Sequence, residues 1–116
     1  MNVIAVDDEE LVLELTGQLI KEVLPNCSLT CFTSYSKALT HAALNRIDLA
    51  FLDIKIGGMS GMELAKRLKD TNGKINIVFV TGYSEYALES DSIDSSEFLL
   101  KPLTKDMVVD AINRLA

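Results

Sequence analysis

The feature that most constrains this chain is a regular alternation of two kinds of segment. Asn2–Val6, Ser28–Phe32, Asp48–Asp53, Ile75–Val80 and Glu97–Leu100 are short runs, mostly apolar, β-branched or aromatic. They are too short for helices and predict strands. A helical pattern follows each. Val12, Leu15, Leu19 and Val23 recur at helical spacing until Pro25 stops them. Ser34 is placed to cap a helix over 35–45, with Ala38, Leu39, Ala42 and Ala43 inward. Ser60 and Glu63 form a capping box ahead of Leu64, Ala65 and Leu68, in a helix that runs to about Asp70 before Asn72-Gly73 turns the chain. Ser84–Glu89 predict a short helix, with a polar link over 90–95. Thr104 caps a last helix with Met107, Val108, Ala111, Ile112 and Leu115 on one stripe.

Such an alternation demands a parallel sheet covered by helices on both faces. At 116 residues each strand–helix unit is short, and a closed barrel needs about twice the length. The pattern therefore predicts one α/β domain over residues 1–116, a doubly wound, flavodoxin-like (βα)5 fold with strand order 2-1-3-4-5. A core of useful size is available at this length.

Open sheets of this kind place their chemistry beyond the carboxyl ends of the strands, here at the switch point between strands 1 and 3. Strand 1 ends in Asp7-Asp8-Glu9-Glu10 and strand 3 in Asp53, followed by a glycine-rich turn. Strands 4 and 5 end on Thr81 and Lys101. Capping of the first helix accounts for one or two of the four consecutive acids. Crowding like charges costs energy unless a cation binds. Asp7, Asp8 and Asp53 offer a few hard oxygen ligands, a set suited to Mg²⁺, whose shell waters and phosphate oxygens complete. The Lys101 ammonium and the Thr81 hydroxyl suit phosphoryl oxygens. An aspartate beside such a metal can accept a phosphoryl group by in-line attack, forming an acyl phosphate. The sequence has no G-x-x-x-x-G-K-[ST] loop and no dinucleotide fingerprint, so the group must arrive from another molecule.

Taken together, Asp7-Asp8, Asp53, Met59-Ser-Gly-Met-Glu-Leu64, Thr81 and Lys101-Pro102 give the whole chain a specific resemblance to the receiver domain of two-component response regulators. The resemblance implies that Asp53 takes phosphate from a sensor histidine kinase or phosphotransfer protein. It implies that Asp8 and Asp53 ligate Mg²⁺ directly, Asp7 largely through water, and the backbone carbonyl of Lys55 completes the protein ligands. Thr81 and Lys101 would bind phosphoryl oxygens, Phe98 stands where the family has its switch aromatic, and the Lys101-Pro102 peptide is expected to be cis. Such a domain catalyses only its own phosphorylation and dephosphorylation, so it is a switch and not an enzyme. Its changing surface lies on the helix at 84–89, the fifth strand and the last helix, where Tyr83, Tyr86 and Leu88 add apolar area and receivers commonly dimerise. Thr81–Glu89 with Phe98–Pro102 is also similar to receivers joined to LytTR-type DNA-binding domains. On this expectation the chain is either a single-domain regulator or a receiver whose output domain is missing beyond Ala116.

Three positions depart from the usual pattern. Gly57 stands where many receivers carry Pro, which predicts a more flexible loop. Gly82 keeps the phosphate approach open, and Phe98 lacks the hydroxyl of the common Tyr, so a switch there works through ring packing. A phosphatase of the haloacid-dehalogenase type resembles a different pattern, an Asp-x-Asp pair, whereas Asp7 and Asp8 are adjacent. A binding-only pseudo-receiver typically lacks an acid, the Thr or the Lys, and all stand here. The net charge of −6 offers no footprint for nucleic acid or anionic membrane. No run is long enough to span a bilayer. Cys27 and Cys31 are too few for a disulfide framework and, without partners, make no zinc site, which predicts reduced thiols in the cytoplasm. His41 reads as a surface or boundary residue.

Overall fold

The computed structural model describes residues 1–56, 59–82 and 96–115, and at 55, 56 and 59 the backbone alone. Five parallel strands form the sheet: β1 (Asn2–Val6), β2 (Ser28–Phe32), β3 (Leu49–Asp53), β4 (Asn76–Thr81) and β5 (Ser96–Leu100). Their order is β2-β1-β3-β4-β5, the doubly wound arrangement that the alternation predicts. A two-residue ribbon, Lys55–Ile56 against Met59–Ser60, follows β3. Among the described residues the helices are α1 (Glu10–Val23), α2 (Tyr35–Leu44), α3 (Gly61–Thr71) and α4 (Lys105–Leu115). The predicted helix at 84–89, with Tyr83, Tyr86 and Leu88, and the position of Gly57 lie outside the described residues.

Two cores sit on the two faces of the sheet. Ile4, Val6, Leu52 and Phe79 pack beneath α2 and α3. Val3, Ala5, Phe51 and Val78 pack beneath α1 and α4. Successive strand side chains point to opposite faces, so a strand buried on both sides must be apolar throughout. The central strand β3 is buried at every position. No helix among the described residues is long and apolar enough to cross a membrane.

Helix α1 corrects the expected stripe. Leu13, Thr16, Gly17 and Ile20 are the buried residues, whereas Leu15 is 50% exposed. Val12, Leu19 and Val23 are half-buried at the flank. The cause is close approach. A Cβ at Gly17 would lie 3.3 Å from Cys31 Sγ and 3.6 Å from Leu29 Cδ2, so the glycine lets the helix settle onto β2. The greasier stripe is displaced to the edge. On α2, Ala38 and Ala42 are buried and Leu39 packs partly against the core, but Ala43 is exposed. Ser34 occupies the N-cap position of α2 without capping it; its hydroxyl meets that of Ser36 at 2.8 Å. His41 is half-buried with its ring tilted against Phe32, 5.3 Å between centroids, a boundary position.

Two helix starts follow the predicted caps. Glu63 N–H donates to Ser60 Oγ at 3.2 Å, while the Glu63 carboxylate turns to Arg67 at 3.4 Å and leaves the box half made. Met107 N–H donates to Thr104 Oγ1 at 3.3 Å. Val108 and Ala111 are buried, with Met107, Ile112 and Leu115 packed beside them.

Candidate functional site

Strand alternation decides which way the acids face. Val3 and Ala5 point to the α1 side, and Asp7 continues that row; the Asp7 amide still donates to the Phe32 carbonyl at 3.1 Å. Leu49 and Phe51 point the same way, and Asp53 continues theirs. Both carboxylates therefore meet at the switch point on one face, each nearly fully buried at 4% and 6% exposure. Asp8, one residue on, is exposed. Single oxygens of Asp7, Asp8 and Asp53 lie within 4.8 Å of one another.

Lys101 enters from the end of β5. Its ammonium donates to Asp7 Oδ2 at 2.9 Å and stands 3.5 Å from Asp53 Oδ2. Burial pulls the Lys101 pKa down, but the hydrogen bond to Asp7 and the charge of Asp53 outweigh it and hold the group above its ordinary range. The cation is thus shared by the two buried acids, one of them 94 residues away in sequence. Asp7 Oδ1 accepts the Glu9 amide at 2.9 Å, a local turn that fixes the carboxylate and starts α1. The four-acid run therefore divides. Asp7 serves both the helix start and the site, and Glu9 at the N-cap makes no side-chain cap.

Thr81 ends β4 and is buried at 1% exposure. Its carbonyl accepts the Lys101 amide at 2.8 Å, which brings the ends of β4 and β5 together. The Lys101-Pro102 peptide is cis. Register pairs Phe79 with Phe98 and Thr81 with Leu100, so Thr81 and Phe98 share a face, two positions apart in register. Phe98 is half-buried against the core under α2 and α3. Among the described residues, a Cβ added at Gly82 would meet nothing within 4 Å. Lys55 opens the ribbon after Asp53, paired with Ser60.

The structure gives two further residues a role that the motifs do not assign: Gly61, within the Met59–Leu64 motif, and Thr16. A Cβ at Gly61 would lie 2.2 Å from the Asp53 carbonyl oxygen, and the Gly61 amide donates to the Ile54 carbonyl at 2.6 Å. Only a glycine lets α3 begin against the backbone that carries Asp53. Thr16, buried on α1, lines the space beneath Asp7 and Asp53. Its signal is a Thr within the Leu13, Gly17, Ile20 spacing. As a donor set, three carboxylates without sulfur or imidazole fit a hard divalent cation such as Mg²⁺.

Comparison with known proteins agrees with this geometry. Residues 3–113 match the family model "Response regulator receiver domain". The chain is similar to the sensory transduction protein LytT of Bacillus subtilis, 29% identical over 114 residues, covering 98% of this chain and 47% of that protein. It is similar to the transcriptional regulatory protein YpdB of Escherichia coli K12, 31% identical over 115 residues, covering 99% and 47%. The chain thus spans about half the length of these curated relatives. Among solved structures, the response regulatory domain of protein mrkE from Klebsiella pneumoniae superposes with a TM-score of 0.87 at 28% identity, covering 99% of this chain and 94% of that one. With the strand order, the acid cluster and the shared lysine in place, this chain belongs to the receiver domain family of response regulators in two-component signalling.

Proposed function

We propose that the domain, residues 1–116, is a phosphorylation-dependent signalling switch whose phosphoacceptor is Asp53. The observation that carries the reading is a buried pair of acids, Asp7 and Asp53, at the switch point with one lysine between them. That is a site with strong acceptors for one cation and a ready second cation for an incoming anion. Asp8 and Asp53 would hold Mg²⁺ directly, Asp7 through water, and the Lys55 carbonyl would complete the set. Mg²⁺ in that place neutralises charge on the phosphoryl oxygens. Lys101 and Thr81 would bind those oxygens, and Gly82 leaves their approach open. The donor is a sensor histidine kinase or a phosphotransfer protein. The domain catalyses only its own phosphorylation and dephosphorylation, works in the cytoplasm, and itself binds neither nucleic acid nor membrane. The likeness to YpdB, a transcriptional regulatory protein, favours an output in transcription regulation. The resemblance of Thr81–Glu89 with Phe98–Pro102 to LytTR-associated receivers favours that branch of the family.

Signal output would run from Thr81 to Phe98. Both lie on one face, so a Thr81 side chain drawn to phosphate frees space beside the ring. The altered surface comprises the 84–89 segment, β5 and α4, and homodimerisation through it is the proposed readout.

Acetyl phosphate with Mg²⁺ should add one phosphate to the wild type, read by intact mass, and Asp53→Ala should abolish it. Labelling of that variant at the wild-type rate would overturn the assignment. Beryllofluoride with Mg²⁺ should shift the Phe98 ring resonances and strengthen self-association. Thr81→Ala should bind beryllofluoride without either effect; a full Phe98 shift in that variant rules out this route.

A further inference from the structure

The acids at the switch point have an underside. Between β1, β3 and α1 a cavity is lined by Asp7, Thr16 and Asp53, with Ala5, Leu13 and Phe51 among its apolar walls. The room for a water centre is ≈ 10 Å³, about that of a single molecule. Thr16 is only 6% exposed. A helical threonine ordinarily turns its hydroxyl to the carbonyl one turn back, as Thr40 does to Ser36 at 3.0 Å. Among the described residues the Thr16 hydroxyl has no such bond, nor any direct one to a carboxylate.

We infer that Thr16, Asp7 and Asp53 hold one internal water molecule, and that through it Thr16 is a positioning residue for the Asp53 carboxylate; the second half rests on the phosphoacceptor reading above. Donors and acceptors balance. Ionised carboxylates only accept, so the water donates one hydrogen to Asp7 and one to Asp53 and accepts the Thr16 hydroxyl proton. Asp7 has capacity left, since its two oxygens carry about four lone-pair sites and the Glu9 amide and Lys101 occupy two. A water with three polar partners in a space of this size meets the usual conditions for a buried site. Occupying the inner lone pairs fixes the rotation of both carboxylates and leaves their outer lone pairs facing the cation. Such outer partners of metal ligands tune the site without touching the metal.

The test compares wild type, Thr16→Val and Thr16→Ser, each metal-free and intact. High-resolution crystallography should show an ordered water within hydrogen-bond distance of the hydroxyl in wild type and Thr16→Ser, and none in Thr16→Val. Calorimetric Mg²⁺ titration should give an affinity about tenfold weaker for Thr16→Val, the scale on which outer partners act, and near wild type for Thr16→Ser. A wild-type structure with a dry cavity overturns the inference, as does a Thr16→Val protein that binds Mg²⁺ like wild type. If Thr16→Val does not fold, Thr16→Ser decides alone: it must keep both the water and the affinity. Failure of acetyl phosphate to label wild-type Asp53 would instead remove the functional reading, and leave the water and Mg²⁺ readouts to judge this one.

Discussion

Lys101→Met is the substitution that most directly tests the electrostatics of the site. The ammonium lies 2.9 Å from Asp7 and 3.5 Å from Asp53, and its side chain is 21% exposed. At an effective dielectric near 20, unit charges at these separations attract by roughly 5–6 kcal/mol each. Desolvation of the ammonium cancels most of that gross attraction. Removing one partner of a fully buried pair costs about 3–5 kcal/mol, whereas exposed pairs contribute about 0.2–1 kcal/mol. The Lys101 pair sits between these limits, so about 2 kcal/mol is the expected loss in the metal-free protein. Unfolding entropy of about 2.1 cal/mol/K per residue amounts to about 0.24 kcal/mol/K over 116 residues. The Tm should then fall by about 8 °C. Mg²⁺ supplies the missing positive charge, so it should raise the Tm of Lys101→Met more than that of wild type and narrow the gap between them. Calorimetric melts with chelator and with saturating Mg²⁺ measure all four quantities. A metal-free variant melting at or above wild type would refute the idea that the lysine offsets two buried acids. Equal Mg²⁺ stabilisation of both proteins would refute the idea that lysine and metal answer the same charge.

Further outcomes follow from single contacts. Gly61→Ala must move backbone, because its Cβ would stand 2.2 Å from the Asp53 carbonyl oxygen; the expected cost is about 1–3 kcal/mol of stability with weakened Mg²⁺ binding. Wild-type melting and Mg²⁺ affinity in that variant would contradict the close approach. Asp8→Asn relieves like-charge crowding at an exposed position. It should raise the metal-free Tm by a few degrees, corresponding to at most about 1 kcal/mol, while weakening Mg²⁺ binding; an unchanged or lower Tm argues against electrostatic strain. Burial pushes the Cys31 thiol up, and the thiolate is the reactive form. Alkylation of Cys31 near neutral pH should therefore run slower than that of an unperturbed thiol and accelerate only above the ordinary thiol range. Rapid alkylation at neutral pH, followed by peptide mass spectrometry, would contradict this.

The architecture was legible in the sequence wherever a local period carried it. Five apolar runs of strand length alternating with helical patterns leave few ways to bury both faces of a sheet, and the observed strand order is the expected one. The strand ends were legible for the same reason. The strands run parallel, so Asp7, Asp53 and Lys101, each closing an apolar run, fall at one rim of the sheet. The inner face of α1 was not legible. Its apolar count favours Leu15 and Leu19, yet Leu13, Thr16, Gly17 and Ile20 are buried, because Gly17 admits Cys31 Sγ at close range. Nor could a motif tell that Lys101 binds Asp7 more closely than Asp53, that Gly61 abuts the Asp53 carbonyl, or that Thr16 lies beneath both acids. Period and polarity are properties of neighbours along the chain and determine elements and their order. Distances of a few ångströms between residues as far apart as Asp7 and Lys101 arise only when close-packed layers settle against each other, and it is those distances that set the chemistry of the site.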